Sequence, residues 1–190
     1  MSDLRNASLV LKSNVLTRNS TTAVGECNAG NTSFTWYGIN LRTLLGDMYD
    51  DYDLFNLCLN SMCLTFTAGA CFNGNEDRSL MVNISGLPFI NQTYNQATGH
   101  NNNAVPIASM VLVSQNNNYL PFYSNNIAMF GKNQDMCDIS ISFTRVLDNA
   151  IPVPTATVFP QCVFLFDIIG VVQENMKRNT PKLYLPSYGH

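Results

Sequence analysis

The chain has 190 residues, of which 46% are hydrophobic and 12% are charged, and its net charge is −3. The hydrophobic fraction is ample for the core of one domain. The charged fraction is about half of the usual ~25%, which favours a protein packed among copies or partners over one that relies on charge for solubility. The acidic balance argues against nucleic-acid binding, which needs clustered lysine and arginine.

Targeting and membrane signals are missing from the sequence. No basic stretch followed by a long apolar run opens the chain, so no signal peptide is predicted. The longest apolar stretch runs from Cys162 to Val172 and contains Asp167. A membrane helix needs about 18 or more such residues. We therefore expect neither an export signal nor a membrane span.

Period-two alternation and short β-branched or aromatic runs, broken by Gly, Asn and Pro, predict strands along most of the chain. The Asn-rich segment 91–106 is predicted to be a long surface loop, and Ile151-Pro-Val-Pro-Thr an extended corner. Eight strands are predicted at residues 7–16, 32–39, 54–66, 79–85, 107–114, 119–123, 138–147 and 161–172.

One helix is predicted between the second and third strands, because six apolar side chains fall on a single helical face. Gly46 lies inside this helix, and its weak helix propensity suggests close packing of the helix backbone against a sheet. The acidic residues lie on the polar side. The apolar face consists of Leu41, Leu44, Leu45, Met48, Tyr49 and Tyr52.

Strand count and order of elements predict the fold class: an all-β, eight-stranded antiparallel jelly-roll β-sandwich with one short inserted helix. An immunoglobulin sandwich fits less well, since the single tryptophan, Trp36, lies in the second strand and no Cys…Trp…Cys pattern exists. We expect one domain over residues 1–172 and a C-terminal tail over 173–190. Two four-stranded sheets should bury Leu80, Val82, Ile84, Ile139, Ile141, Phe143, Val163 and Leu165.

The last strand, Cys162 to Val172, is apolar on both faces, so it should be central or covered on both sides. The cysteines at positions 27, 58, 63, 71, 137 and 162 are expected to be free thiols in a reducing compartment. Cys58 and Cys63 lie five residues apart in one strand, which predicts opposite faces. Cys58 and Cys162 are expected to be buried and reduced.

Two stretches carry a resemblance to a known family. The segment INLRTLLGDMYDDYDLFNLCL, from Ile39 to Leu59, resembles the region after the second strand in penton and minor capsid proteins of large icosahedral DNA viruses. The closing strand VFLFDIIGVV is similar to theirs. The resemblance implies a single jelly-roll capsid subunit of the virion, assembled in the host cytoplasm. Its implied partners are copies of itself, as a pentamer, and neighbouring capsid proteins, without nucleic acid.

No catalytic or cofactor-binding constellation is predicted. A Ser/His/Asp or Cys/His site needs a held imidazole, and the only histidines are His100, in the Asn-rich segment, and His190. The carboxylates between Asp47 and Asp53 could in principle bind calcium, but they lack EF-hand spacing, which favours a solvated helix face. We therefore expect no enzyme, no cofactor and no metal.

A carbohydrate-binding or adhesin β-sandwich is the main alternative, because such modules also combine jelly rolls, Asn-rich loops and exposed aromatics such as Tyr94, Tyr119 and Tyr123. A secreted module would carry a signal sequence or disulfides. Five Asn-x-Ser/Thr sequons, one of them at Asn83, are compatible with chance in so Asn-rich a chain.

The C-terminal tail contains an apolar and aromatic group that the core of one domain does not require. Pro181 and Pro186 prevent a continuous helix there. Ordering such a segment opposes backbone entropy of about 1–2 kcal/mol per residue, so a neighbour's groove would have to supply the contacts. We expect the tail to dock on an adjacent subunit with Tyr184 as its anchor. The predicted partner-binding residues are Leu183, Tyr184, Leu185 and Tyr188.

Overall fold

The computed structural model describes residues 6–16, 20–28, 32–65, 79–90, 93–95, 100–102, 104–112, 119–123, 127–148, 151–152 and 161–171. Most of these residues are in strands. The remainder includes one turn of 3-10 helix, Ser13–Val15, and two short helices, α1 (Leu41–Leu45) and α2 (Met48–Asp51). The strands are β1 (Asn6–Lys12), β2 (Ser20–Thr21), β3 (Gly25–Cys27), β4 (Ser33–Asn40), β5 (Leu54–Thr65), β6 (Ser79–Ser85), β7 (Thr93–Asn95), β8 (His100–Asn102), β9 (Val105–Leu112), β10 (Tyr119–Tyr123), β11 (Ala128–Gly131), β12 (Met136–Arg145) and β13 (Gln161–Val171).

All of these strands except β7 and β8 belong to one of two sheets. The four-stranded sheet has the order β1-β13-β5-β11, and the seven-stranded sheet has the order β10-β9-β6-β12-β4-β3-β2. Strands β7 and β8 form a separate hairpin. Every described strand pair is antiparallel. The all-β, sandwich-like class with few helices is therefore confirmed.

All eight predicted strands are present, but the prediction of two four-stranded sheets was wrong. Short strands β2 and β3 extend one sheet beyond β4, and β10 extends its other end. Strand β11, AMFG, forms an edge of the other sheet with only four residues, too few for a period-two pattern to register. The segment 91–106 was predicted to be a loop, and it contains the β7–β8 hairpin and the start of β9.

The predicted helix is split in two at Gly46. This residue has φ 55° and ψ −133°, a conformation that ends α1 and that residues with a Cβ rarely adopt. A Cβ at Gly46 would meet no atom within 4 Å, so close packing against a sheet does not explain the glycine. The predicted apolar face is nevertheless confirmed: Leu41, Leu45, Met48 and Tyr49 are buried, and Leu44 and Tyr52 pack against the core.

The core lies between the inner faces of the two sheets. Across it, the rings of Trp36 in β4 and Phe164 in β13 meet edge to face, with centroids 6.3 Å apart. The predicted core positions in the seven-stranded sheet are confirmed, each exposed by 1% or less: Leu80, Val82, Ile84, Ile139, Ile141 and Phe143.

The prediction of which face of β13 points into the core was wrong. Phe164 and Phe166 point into the core, whereas Val163 and Leu165 are only half-buried and lie on the alternate face. Both faces of this strand are apolar, so the alternation itself could not identify the inner one. The larger aromatic side chains occupy the inner face. The central position of β13, between β1 and β5, is as predicted.

The C-terminal tail and its predicted partner-binding residues, Leu183, Tyr184, Leu185 and Tyr188, lie outside the described residues, as does Cys71. Docking by the tail therefore stays a prediction. Among the residues that the structure describes, no helix has the length and apolar character needed to cross a membrane.

Candidate assembly surface

The side of the four-stranded sheet that faces away from the core is here called the outer face. The strand register aligns its side chains in rows: Val10 pairs with Leu165, and Cys63 pairs with Val163. Val10 on the edge strand is 49% exposed. Further along β13 the same face carries Ile169. Along β13 the outer face thus carries three apolar residues beside Asp167, where a solvated antiparallel sheet would show mainly polar ones.

A β-bulge in β5 determines which cysteines reach the outer face. The pairing shifts between Leu165 and Phe166, so that Asn60 is the extra residue of β5. Cys58 pairs with Asp167 and Cys63 with Val163, two positions on the same face of β13. The prediction of opposite faces was therefore wrong, because strict alternation does not continue through a bulge.

Polar residues also lie on the outer face, among them the exposed Asn6, Ser8 and Lys12 of β1. The Asn60 side chain donates a hydrogen bond to Asp167 Oδ2 at 2.7 Å. Asn56 pairs with Ile169 of β13 on one side and with Met129 of β11 on the other, and its side-chain oxygen is an exception. Its Oδ1 atom is buried and accepts no hydrogen bond. A buried acceptor without a donor destabilises a fold by about 1–3 kcal/mol.

None of the five described cysteines is in a disulfide. Cys27, Cys137 and Cys162 are buried and Cys63 is exposed. Cys162 is thus buried as predicted, whereas Cys58 is only half-buried because it lies on the outer face. Burial raises the pKa of the Cys137 thiol to about 11. Burial likewise raises the pKa of Cys162 and, with help from the Asp167 charge, that of Cys58. These are inert small hydrophobes rather than activated nucleophiles.

The helices bring a tyrosine between two cations at one end of the sandwich. The Arg42 guanidinium lies 4.5 Å from the Tyr49 ring centroid, and Lys132 Nζ lies 5.5 Å from it. Tyr49 donates its hydroxyl hydrogen to Asp135, and this bond raises the pKa of Tyr49. Lys132 Nζ also donates to the Tyr49 carbonyl at 2.8 Å. The cluster ties α2 to the segment between β11 and β12, which is a structural role.

Two carboxylates in and beside α2 are held in ion pairs. Arg42 pairs with Asp50 at 3.1 Å, and Lys132 pairs with Asp53 at 3.1 Å. Within the described ranges, no group of three or more His, Cys, Asp or Glu side chains could hold a metal ion. His100 lies in β8, remote in sequence from these residues, and His190 is outside the described residues.

Sequence reasoning missed the outer face as a surface, although its signal was available. The last strand is apolar on both sides, and that pattern predicts a strand that is central or covered on both sides. The structure directs one of its two apolar faces outward. The bulge in β5, by contrast, has no signature in the sequence LCLNSMC, because Asn and Ser are equally compatible with a regular exposed strand.

No family model, no curated protein and no solved structure matches this chain. The resemblance of residues 39–59 and of the closing strand to viral capsid subunits therefore remains a prediction from those residues. The fold and the outer face have to carry the functional argument.

Proposed function

We propose that this chain is a structural subunit of an icosahedral shell: a single jelly-roll penton or minor capsid protein of a large DNA virus. Its place would be the virion, with assembly in the host cytoplasm. Its partners would be further copies of itself, as a pentamer, and neighbouring capsid proteins. It would have no enzymatic activity.

The order of the strands supports the jelly-roll part of the proposal. Eight longer strands follow one another along the chain as β1, β4, β5, β6, β9, β11, β12 and β13. They alternate between the two sheets, except that β6 and β9 lie in the same sheet. Taking these eight as the main strands, the four-stranded sheet has the order first, eighth, third, sixth. The other sheet contains the order fifth, fourth, seventh, second. These orders agree with those expected of an eight-stranded jelly roll, which supports the proposal, with β2, β3, β10 and the β7–β8 hairpin as additions.

The observation that carries the assembly role is the outer face of the four-stranded sheet. A fold alone does not imply a function, but Val163, Leu165 and Ile169 lie half-buried, beside Asp167, on the side of β13 that faces away from the core. Apolar side chains on the surface can mark protein–protein contacts, and Val10 beside Leu165 is 49% exposed. A chain with only 12% charged residues is suited to being surrounded by neighbours.

The absence of enzymatic activity is proposed on the residues themselves. The sequence has two histidines, and the thiols nearest to the core are buried with raised pKa values. The polar cluster around Tyr49 is satisfied by its own hydrogen bonds and ion pairs. Such a cluster stabilises the fold, and it leaves no activated group facing a substrate.

Two observations favour assembly over the alternative of a secreted glycan-binding or adhesin module. None of the five described cysteines is in a disulfide, whereas secreted modules commonly carry disulfides. The sequon at Asn83 lies in β6, where the residue is 8% exposed and donates to Thr144 Oγ1 at 2.8 Å. That asparagine is engaged in the sheet and is unsuited to carry a glycan.

Native mass spectrometry of the purified full-length chain, over a hundredfold range of concentration, tests this proposal. We expect a discrete oligomer whose mass is a whole multiple of 21.1 kDa, with five copies as the expected number. Glycan-array binding of the same preparation is the comparison for the alternative. A chain that stays monomeric throughout and binds a defined glycan would refute the assembly role in favour of the glycan-binding one.

A further inference from the structure

Two buried cysteines lie in opposite sheets of the sandwich. Cys27 is in β3 of the seven-stranded sheet, and Cys162 is in β13 of the four-stranded sheet. Their exposed fractions are 6% and 1%, and both belong to the core. They are 135 positions apart in the chain, and neither is in a disulfide.

A ring contact across the core relates the strands around these two cysteines. Trp36 of β4 meets Phe164 of β13 with ring centroids 6.3 Å apart. Cys162 precedes Phe164 by two positions and shares its inner face. On the other sheet, Cys27 pairs with Phe34, which precedes Trp36 by two positions on the inner face of β4. Each cysteine therefore lies one step away from the same contact between the sheets.

The 3-10 turn after β1 touches both strands that carry the cysteines. At its start, the buried Ser13 hydroxyl accepts a hydrogen bond from the Cys162 amide at 2.7 Å. Directly after the turn, Leu16 packs against Gly25 of β3, where a Cβ would lie 2.8 Å from Leu16 Cδ2. Gly25 and Cys27 are two positions apart on the same face of β3. A single turn thus spans the distance between β13 and β3 at this corner of the sandwich.

The two thiols are close enough to interact electrostatically. Burial raises the pKa of the Cys162 thiol, and the neighbouring Cys27 raises it further. Charges on two thiols influence each other strongly only at short separation. The pKa of Cys137, by contrast, is raised by burial and by the Asp138 carboxylate. Cys27 and Cys162 are therefore a pair, and Cys137 is a buried thiol outside it.

We infer that Cys27 and Cys162 are a latent disulfide, which an oxidant converts from two core thiols into a covalent link between the sheets. A disulfide between the two sheets is also found in immunoglobulin sandwiches. Because the cysteines are 135 positions apart, the link would constrain most of the unfolded chain, and stabilisation by a disulfide grows with the length of the loop that it closes. This inference goes beyond the proposed assembly role and does not depend on it.

The link forms by two exchanges with a low-molecular-weight disulfide such as oxidised glutathione. One thiolate of the pair attacks a glutathione sulfur, which gives a mixed disulfide and releases one glutathione thiolate. The other protein thiolate then attacks the protein sulfur of the mixed disulfide and releases the second glutathione. The two cysteines lose two electrons and two protons, and one glutathione disulfide gains them as two thiols. Because burial raises the pKa of Cys162, we expect oxidation to be slow.

Peptide mapping of the full-length wild type tests the link without any variant. The chain is purified with reductant, incubated with excess oxidised glutathione, denatured in maleimide and digested without reductant. We expect the main disulfide to join the peptides of Cys27 and Cys162, with Cys137 recovered as its maleimide adduct. Recovery of Cys27 and Cys162 as separate adducts, or joined to other cysteines, would overturn the inference.

Thermal unfolding measures what the link does to the fold. We expect oxidation to raise the melting temperature of the wild type by about 5–10 °C, and reductant to reverse the rise. Cys27→Ala and Cys162→Ala should abolish the rise, whereas Cys137→Ala, the matched control, should keep it. Each variant is compared with its own reduced form, so the loss caused by a smaller side chain cancels. An unchanged wild type, or a rise that persists in Cys27→Ala, would contradict the latent disulfide.

Discussion

At the scale of residues, the buried thiols should lower the free energy of unfolding as the pH becomes alkaline. Burial raises the pKa of Cys137 from about 9 to about 11, so the folded state holds its proton more tightly than the unfolded state does. This contribution is fully present below pH 9 and is lost as the pH rises towards 11.

We therefore expect the free energy of unfolding, from urea titrations between pH 8 and 11, to fall less steeply with pH in Cys137→Ala than in the wild type. Comparing slopes removes the pH-independent loss caused by the smaller side chain. Cys63→Ala, at an exposed position, is the control. A slope unchanged in Cys137→Ala would contradict burial of that thiol.

Asn56 provides a second prediction at this scale. Its Oδ1 atom is buried without a hydrogen-bond donor, and replacing a buried unpaired polar group with an apolar one of similar shape is neutral or stabilising. We expect Asn56→Leu to raise the free energy of unfolding by about 1 kcal/mol. Asn83→Leu is the matched comparison, because the Asn83 amide donates to Thr144, and this change should lower it. A destabilised Asn56→Leu would mean that its oxygen is satisfied in solution.

At the scale of elements, Gly46 separates two short helices where the sequence pattern indicates one. Its φ of 55° with ψ of −133° disfavours any residue with a Cβ. We expect Gly46→Ala to destabilise the fold by about 1–3 kcal/mol in thermal or urea unfolding. Thr43→Ala, at an exposed position in α1, should change stability by less than about 0.5 kcal/mol. A stabilising Gly46→Ala would instead indicate one continuous helix.

The same elements explain what the sequence could and could not predict. Strands with one polar face, such as β12, were predicted with the correct inner residues, because Ile139, Ile141 and Phe143 alternate with Ser and Thr. Strand β13 was located correctly but with its faces reversed, since both are apolar and only contact with the opposite sheet distinguishes them. The four residues of β11 derive their strand conformation from pairing with β5. That pairing is a long-range contact, which local pattern does not encode.

The residues that reach the candidate surface also depend on pairing between strands, which local sequence pattern does not encode. The two cysteines of β5 share a face because of a bulge at Asn60, and a bulge depends on the partner strand. The predicted tail anchor, Tyr184, lies outside the described residues, so docking by the tail stays a prediction. Sequence reasoning identified a segment in need of a groove.

At the scale of the whole molecule, two antiparallel sheets bury one continuous core while the four-stranded sheet presents apolar side chains outward. An isolated domain would be expected to expose polar residues there. This arrangement would suit a subunit whose outer face is covered in an assembly, and it agrees with the low fraction of charged residues in the chain.

Electron cryo-microscopy of the oligomer isolated by size-exclusion chromatography tests this account most directly. The account predicts closed rings of identical copies, five in number, with strand orders β1-β13-β5-β11 and β9-β6-β12-β4 in each copy and an occupied outer face. A preparation containing only 21.1 kDa monomers, or an oligomer whose copies leave the outer face open to solvent, would contradict it.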